Sequence, residues 1–323
     1  MRVAVIGVGN VGTRIVRQLV SNPAIDEIVI SDTRPGRVDE VVKAIDDRVE
    51  PGGPDGSAIV VIASTAGGHV DIARRALDTG ADIVSLADSV DDTRGLRGLD
   101  AEAREAGRSV VIGAGLAPGF SDLLAKQAAV GFDRVDEIHV AKAGTGGPAC
   151  ARQHHRALRG DAVDWRDGVF IDRRGRTGRE LVFFPEPIGG RDCYRAAIPD
   201  ALLLAPEFPG VSRVTARMSA TRRDRITALL PMMRRPHMDG GPGGIRVELR
   251  GYRGDEHVVE VFGAVDHPSV AAAVVASVAV DNVVAGTWGT PGARGLGSVE
   301  DPATWLVELH RRGVRAAAFT GST

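Results

Sequence analysis

The sequence predicts an α/β protein: a doubly wound parallel sheet carrying a second α+β domain with a mostly antiparallel sheet. Three observations predict it. Val3, Ala4, Val5 and Ile6 make a continuous apolar run that breaks into Gly7, Gly9 and Gly12, after which Ile15, Val16, Leu19 and Val20 recur at helical spacing. Apolar runs then alternate with helical periods as far as residue 125, the pattern of parallel strands covered by helices on both faces. From residue 136 polar and apolar positions alternate, as strands of a half-buried antiparallel sheet do.

Taken in order, the strand at residues 3–6 leads into G-x-G-x-x-G spacing, and each glycine has a physical reason. Gly7 permits the tight turn, Gly9 lets backbone approach a pyrophosphate, and Gly12 lets the helix lie close to the strand. A second apolar strand, residues 27–31, ends at Asp32, twenty residues after Gly12. That is where a dinucleotide-binding unit of the Rossmann type places its acid for the ribose hydroxyl. The spacing predicts a helix over 35–46 and a short strand at 48–50; residues 51–56, with two prolines and three glycines, are too broken for a crossover helix. A strand at 58–63 opens into Ser64, Thr65, Ala66, Gly67 and Gly68, followed by a helix over 70–77, a strand at 83–86, a helix over 100–106 and a strand at 109–112.

In the second domain, strand-like runs occupy 168–171, 181–184, 211–218, 245–250 and 258–263, separated by glycine- and arginine-rich turns. Residues 268–284 predict a buried apolar helix opened by Pro268, and 303–310 a last amphipathic helix opened by Asp301 and Pro302. The expected organisation is a dinucleotide-binding domain over 1–126, a substrate domain over 127–280 and a segment, 281–323, returning to the first domain.

Ligands of such sheets bind beyond the carboxyl ends of the strands. The expected cofactor residues are therefore Gly7, Gly9, Asn10, Val11 and Gly12, then Asp32, Thr33 and Arg34, and Ser64, Thr65, Ala66, Ala87, Asp88, Pro118 and Gly119 on the later loops. Asp32 repels a 2′-phosphate and favours NAD, whereas Arg34 and Arg37 are able to accommodate one, so NADP stays open.

Composition narrows the partners. With 43% hydrophobic and 25% charged residues the chain is ordinary for a globular protein, and its net charge of −2 gives no reason to expect nucleic acid or an anionic membrane. The longest apolar stretch, 270–280, is too short to span a bilayer, and the chain opens directly on a strand with no signal-peptide pattern. Cys150 and Cys193 make neither a disulfide framework nor a metal quartet; free thiols in a cytoplasmic protein without a metal are expected. Only Lys43, Lys126 and Lys142 are lysines among 40 basic residues, so clusters of arginine carry less functional weight here than a lone lysine does.

Residues 60–64, 73–88 and 113–125, with 285–292 near the C-terminus, resemble the saccharopine dehydrogenase-like family, which includes lysine 6-dehydrogenase-type enzymes. The likeness rests most on Pro118 and Gly119, and the chain departs from the family pattern at Ser85, Gly113 and Asp122. The resemblance implies an NAD(P)-dependent oxidoreductase acting at a C–N bond, and a homodimer through the sheet of the second domain.

Hydride exchange between an amine and an imine needs a nicotinamide, a proton shuttle for the nitrogen and a cation for a substrate carboxylate. Lys142 ends the first strand of the second domain and, unlike an arginine, can serve as acid or base. His154 and His155 follow a glycine-rich loop, and at most one of two neighbours points into a crevice. Arg152 and Arg156, one helical turn apart, suit a carboxylate clamp. Lys142, His154, His155 and Arg156 are thus the catalytic candidates, for a small carboxylate-bearing substrate. A carbonyl substrate, as in homoserine-type dehydrogenases, and a nucleotide-sensing protein without turnover are the alternatives.

Overall fold

A computed structural model describes residues 1–233 and 235–319. In its first part, strands β1 (Arg2–Ile6), β2 (Glu27–Ser31), β3 (Val49–Pro51), β4 (Ile59–Ile62), β5 (Asp82–Ser85) and β6 (Ser109–Ile112) alternate with helices α1 (Asn10–Leu19), α2 (Arg37–Ala44), α3 (His69–Asp78), α4 (Val90–Arg97), α5 (Asp100–Glu105) and α6 (Phe120–Ala129). No helix joins β3 to β4, as the glycines and prolines of 51–56 require.

The second part comprises β7 (Arg134–Ala143), α7 (Pro148–Ala157), β8 (Ala162–Arg166), β9 (Val169–Arg173), β10 (Glu180–Phe184), β11 (Gly189–Arg195), α8 (Asp200–Leu204), β12 (Arg213–Ser219), α9 (Arg222–Thr227), β13 (Gly243–Arg253) and β14 (Glu256–Asp266). Helix α10 (Pro268–Val284), β15 (Gly292–Gly295), α11 (Pro302–Arg311) and β16 (Ala316–Phe319) complete the described chain.

The first sheet is wholly parallel, in the order β15-β6-β5-β4-β1-β2-β3. Its order reverses between β1 and β4, which is the switch point where such sheets open a crevice at their carboxyl edge. Every residue of β4 and β6 is buried, because helices cover both faces. Ile15, Val16 and Leu19 of α1 pack on this sheet, and α10 packs on α1 in turn. Helix α10 is apolar all round because it is enclosed on every side, with twelve buried residues between Pro268 and Val280.

The second sheet runs β10-β11-β12-β7-β13-β14-β16, with β8 and β9 branching from β12. Among the described residues only β7 and β12 pair in parallel; the other pairings are antiparallel. Ile138, Val140, Ile245, Val247 and Leu249 fill the core shared with α6.

Two parts of the expected organisation are drawn differently. Helix α10, placed with the substrate domain by its position in the chain, lies against α1 of the first. The segment 281–323, expected to return to the first domain, divides: β15 extends the first sheet beside β6, while β16 pairs with β14 in the second.

Candidate active site

The turn after β1 is built for close approach. Gly7 has φ +92°, and a Cβ there would lie 2.8 Å from the Ala63 carbonyl oxygen. A Cβ on Gly12 would stand 1.8 Å from the Gly7 oxygen, so α1 reaches the strand only with glycine at that position. Helix α1 has no side-chain cap and no acid in its first turn, which leaves its N-terminal N–H groups and positive dipole end to an anion. The residues therefore fit a dinucleotide pyrophosphate.

Asp32 terminates β2 beside this turn. Its carboxylate accepts from Val8 N at 2.9 Å and from the Arg34 guanidinium at 2.9 and 3.0 Å. Burial raises the carboxyl, but the hydrogen bonds and charge of Arg34, with the Val8 N–H, leave it below its usual range. Arg34 extends across the glycine turn, 3.8 Å from where a Gly9 Cβ would sit, whereas Thr33 is exposed and makes no hydrogen bond among the described residues. Arg37 braces the turn from behind, donating to Val8 O at 2.9 Å and to Thr13 Oγ1 at 2.8 Å.

The loops after β4, β5 and β6 meet the second domain around a cavity of about 340 Å³. Ser64, Thr65, Ala66, Asp88, Pro118 and Val11 line the first domain's side, and Lys142, Cys150, Arg152, His154 and Arg156 the other. Of the remaining expected cofactor residues, Ala87 is buried in the core beneath the loop. Gly119 holds the 113–119 turn at φ +120°, where a Cβ would come within 2.5 Å of Gly113 O. Asn10 acts as a tie between domains: its amide donates to Gly146 O at 3.4 Å and to Met238 O.

Residues unmarked in the sequence shape the first wall. Buried His69 shares a hydrogen bond of 2.9 Å with Ser85 Oγ and lies 3.3 Å from Ser64 O, while Asp92 accepts from Gly67 N at 2.7 Å. Both sit on helices following loops, so only their contacts mark them. Asp88 reaches the cavity itself; burial pushes its carboxyl up, against the pull of Lys142 and His69.

Opposite, Lys142 of β7 donates to Ala117 O at 2.9 Å, which aims its ammonium at the 115–118 loop. Helix α7 presents Cys150, Arg152, Gln153, His154 and Arg156 to the cavity. His154 Nε2 donates to Ser219 O at 3.1 Å, and burial, then Lys142, push the imidazole down to about 4. It is neutral near pH 7 and its donor is already used. His155 is turned away from this group: its Nε2 lies 2.8 Å from Leu230 O, at a separate cavity bounded by Arg223 and Met233. Arg152 and Arg156 line the site without a carboxylate partner among the described residues. Burial, then Asp88, raise the Cys150 thiol and keep it protonated. The described residues contain no group of three or more potential metal ligands and no helix long and apolar enough to cross a membrane.

No family model and no curated protein sequence matches the chain. Solved structures do resemble it. Saccharopine dehydrogenase (L-Glu forming) from Saccharomyces cerevisiae superposes with a TM-score of 0.72 at 15% identity, over 99% of this chain and 100% of that one. The amine dehydrogenase of Mycobacterium smegmatis gives 0.51 at 13% identity, over 91% of this chain and 94% of that one. DAP dehydrogenase from C. glutamicum, solved with DAP, gives 0.50 at 15% identity, over 96% and 95%. The chain has a saccharopine dehydrogenase-like fold.

Proposed function

We propose that this chain is an NAD(P)-dependent oxidoreductase that moves hydride at an amine or imine carbon of an amino-acid-like substrate. One observation carries the reading: a single cavity joins the loops at the carboxyl edge of the parallel sheet to Lys142 and two arginines that have no carboxylate partner among the described residues. The names of the similar structures, a saccharopine, an amine and a DAP dehydrogenase, support the same chemistry.

The N-terminus of α1 and Gly9 take the pyrophosphate, Asp32 the adenosine ribose, and Ser64 to Ala66 with Pro118 the nicotinamide half. The bound nicotinamide supplies or accepts the hydride. NAD is the favoured form because Asp32 opposes a 2′-phosphate, and Arg34 is the group that admits NADP. Lys142 holds or delivers the proton at the substrate nitrogen, steadied by the Ala117 carbonyl and facing Asp88. Neutral His154 shapes the wall and leaves the proton traffic to Lys142, while Arg156 with Arg152 holds the substrate carboxylate. Two free thiols suit a reducing compartment, for which we propose the cytoplasm, and the working unit is a homodimer.

Fluorescence titration with NADH and NADPH should show binding, tighter for NADH, followed by nicotinamide absorbance change in a screen of amino acids and of 2-oxo acid/amine pairs. Absence of binding for both nucleotides would overturn the reading. Binding with turnover only of a hydroxy acid or its carbonyl would move the chemistry from C–N to C–O.

A further inference from the structure

Behind the wall that carries Lys142, two carboxyl groups are sealed from solvent. Asp122 lies in the first turn of α6 and Asp200 opens α8; both are 0% exposed. They share one donor: Ser121 Oγ lies 3.0 Å from Asp200 Oδ1 and 3.3 Å from Asp122 Oδ1. A hydroxyl has one hydrogen to donate, so it serves one of them at a time. The second oxygen of each, Asp122 Oδ2 and Asp200 Oδ2, is buried without a hydrogen-bond partner among the described residues. No lysine, arginine or histidine nitrogen lies within salt-bridge distance of either carboxylate among the described residues.

Two ionised carboxylates with one hydroxyl donor between them are untenable in this enclosure, since a buried charge without a counter-ion is strongly disfavoured. Like charges at one site leave one of the two protonated. We propose that Asp122 and Asp200 share a single proton, held on Asp122, so that the inner wall behind Lys142 carries one negative charge and not two.

The surroundings decide where the proton rests. Burial raises the Asp200 carboxyl too, but the Lys142 ammonium and the shorter hydrogen bond from Ser121 oppose that rise, with Asp88 as an adverse charge. Burial and then Asp200 hold the Asp122 carboxyl well above the usual range; Ser121 and the Gly119 backbone oppose the rise and Glu207 adds to it. Asp200 is therefore the member left charged; Lys142 lies beyond salt-bridge distance, and it is through this charge that Asp200 acts on the ammonium as a positioning residue. This last role rests on the function proposed above, whereas the shared proton follows from the packing alone.

Infrared difference spectra of the folded chain test the proton directly. At neutral pH a deuterium-sensitive carbonyl stretch of a protonated carboxyl is expected in the parent and absent in Asp122→Asn; no difference between the two would overturn the proposal. Should Asp122→Asn fail to fold, Asp200→Asn carries the test. With its charged neighbour removed, Asp122 should lose its proton at lower pH than in the parent, and an unchanged midpoint counts against sharing. Urea unfolding adds a second measurement. A carboxyl raised in the folded state gives its full stability below the ordinary carboxylate range and loses it as pH rises through the raised value. Asp122→Asn should therefore gain on the parent from acid to neutral pH, and a gap that stays constant opposes the proposal. For the positioning role, Asp200→Asn should displace the pH–rate profile and Asp200→Glu should restore it. An unmoved profile would remove Asp200 from that role while the infrared result stands by itself.

Discussion

Lys142 and His154 illustrate how the same wall can hold two basic groups in opposite surroundings. The lysine is pinned by one carbonyl and keeps hydrogens to donate into the cavity; the histidine has given its Nε2 hydrogen to Ser219 O and is driven neutral by burial and by the lysine itself. Replacing Lys142 by Ala should lower kcat by about 10²- to 10⁴-fold, the usual worth of a positioned acid or base. NADH affinity, read by fluorescence, should be unaffected, because the lysine comes from the second domain, the proposed substrate side. His154→Gln keeps a donor for Ser219 O and should change kcat far less than Lys142→Ala; an equal loss would return the proton shuttle to the histidine. On the cofactor side, Arg34 grips both oxygens of Asp32. In Arg34→Ala the ribose hydroxyls no longer compete with a guanidinium, and the cation that tolerates a 2′-phosphate is gone. The ratio of NADPH to NADH dissociation constants should rise about tenfold, the scale of one charge-assisted hydrogen bond.

At the level of elements, α1 is held against β1 by absence of a side chain. Gly12→Ala would drive a methyl to within 1.8 Å of the Gly7 oxygen, so the helix must shift. The expected cost is about 3 kcal/mol in urea unfolding, with loss of nucleotide binding even where the variant folds, and a variant that binds NADH normally would contradict the geometry. The glycine spacing and the buried strands of the first sheet were legible because a parallel strand covered on both faces must be apolar throughout. Strand β15, Gly-Ala-Arg-Gly, and β11, opening on two glycines and an Arg-Asp pair, carry no such signal; neighbours in the sheet make them strands. Helix α4, interrupted by Gly95 and rich in charge, was hidden for the same reason. In the site, loops that follow strands were readable from position. His69, Asp92 and Asp200 were not, since each matters through a contact 16 to 79 residues away.

For the whole molecule, the second sheet ends in β10, which among the described residues pairs only with β11 and exposes Leu181 and Phe183 at 58% and 64%. A free strand edge with apolar side chains is a ready surface for another chain. The proposed homodimer should appear in sedimentation equilibrium as twice the 33.9 kDa chain. Leu181→Lys with Phe183→Lys should shift it to monomer if this edge takes part, and a parent that sediments as a monomer removes the dimer altogether.

The divided C-terminal segment has a mechanical consequence. The chain passes between the two sheets three times: from α6 to β7, from β14 to α10, and from α11 to β16. A pair of bodies joined by one linker can swing freely, but three separate tethers restrict relative motion to rotation about the line that best accommodates them all. Opening of the cleft between the loops of the first sheet and the Lys142 wall is restricted in the same way.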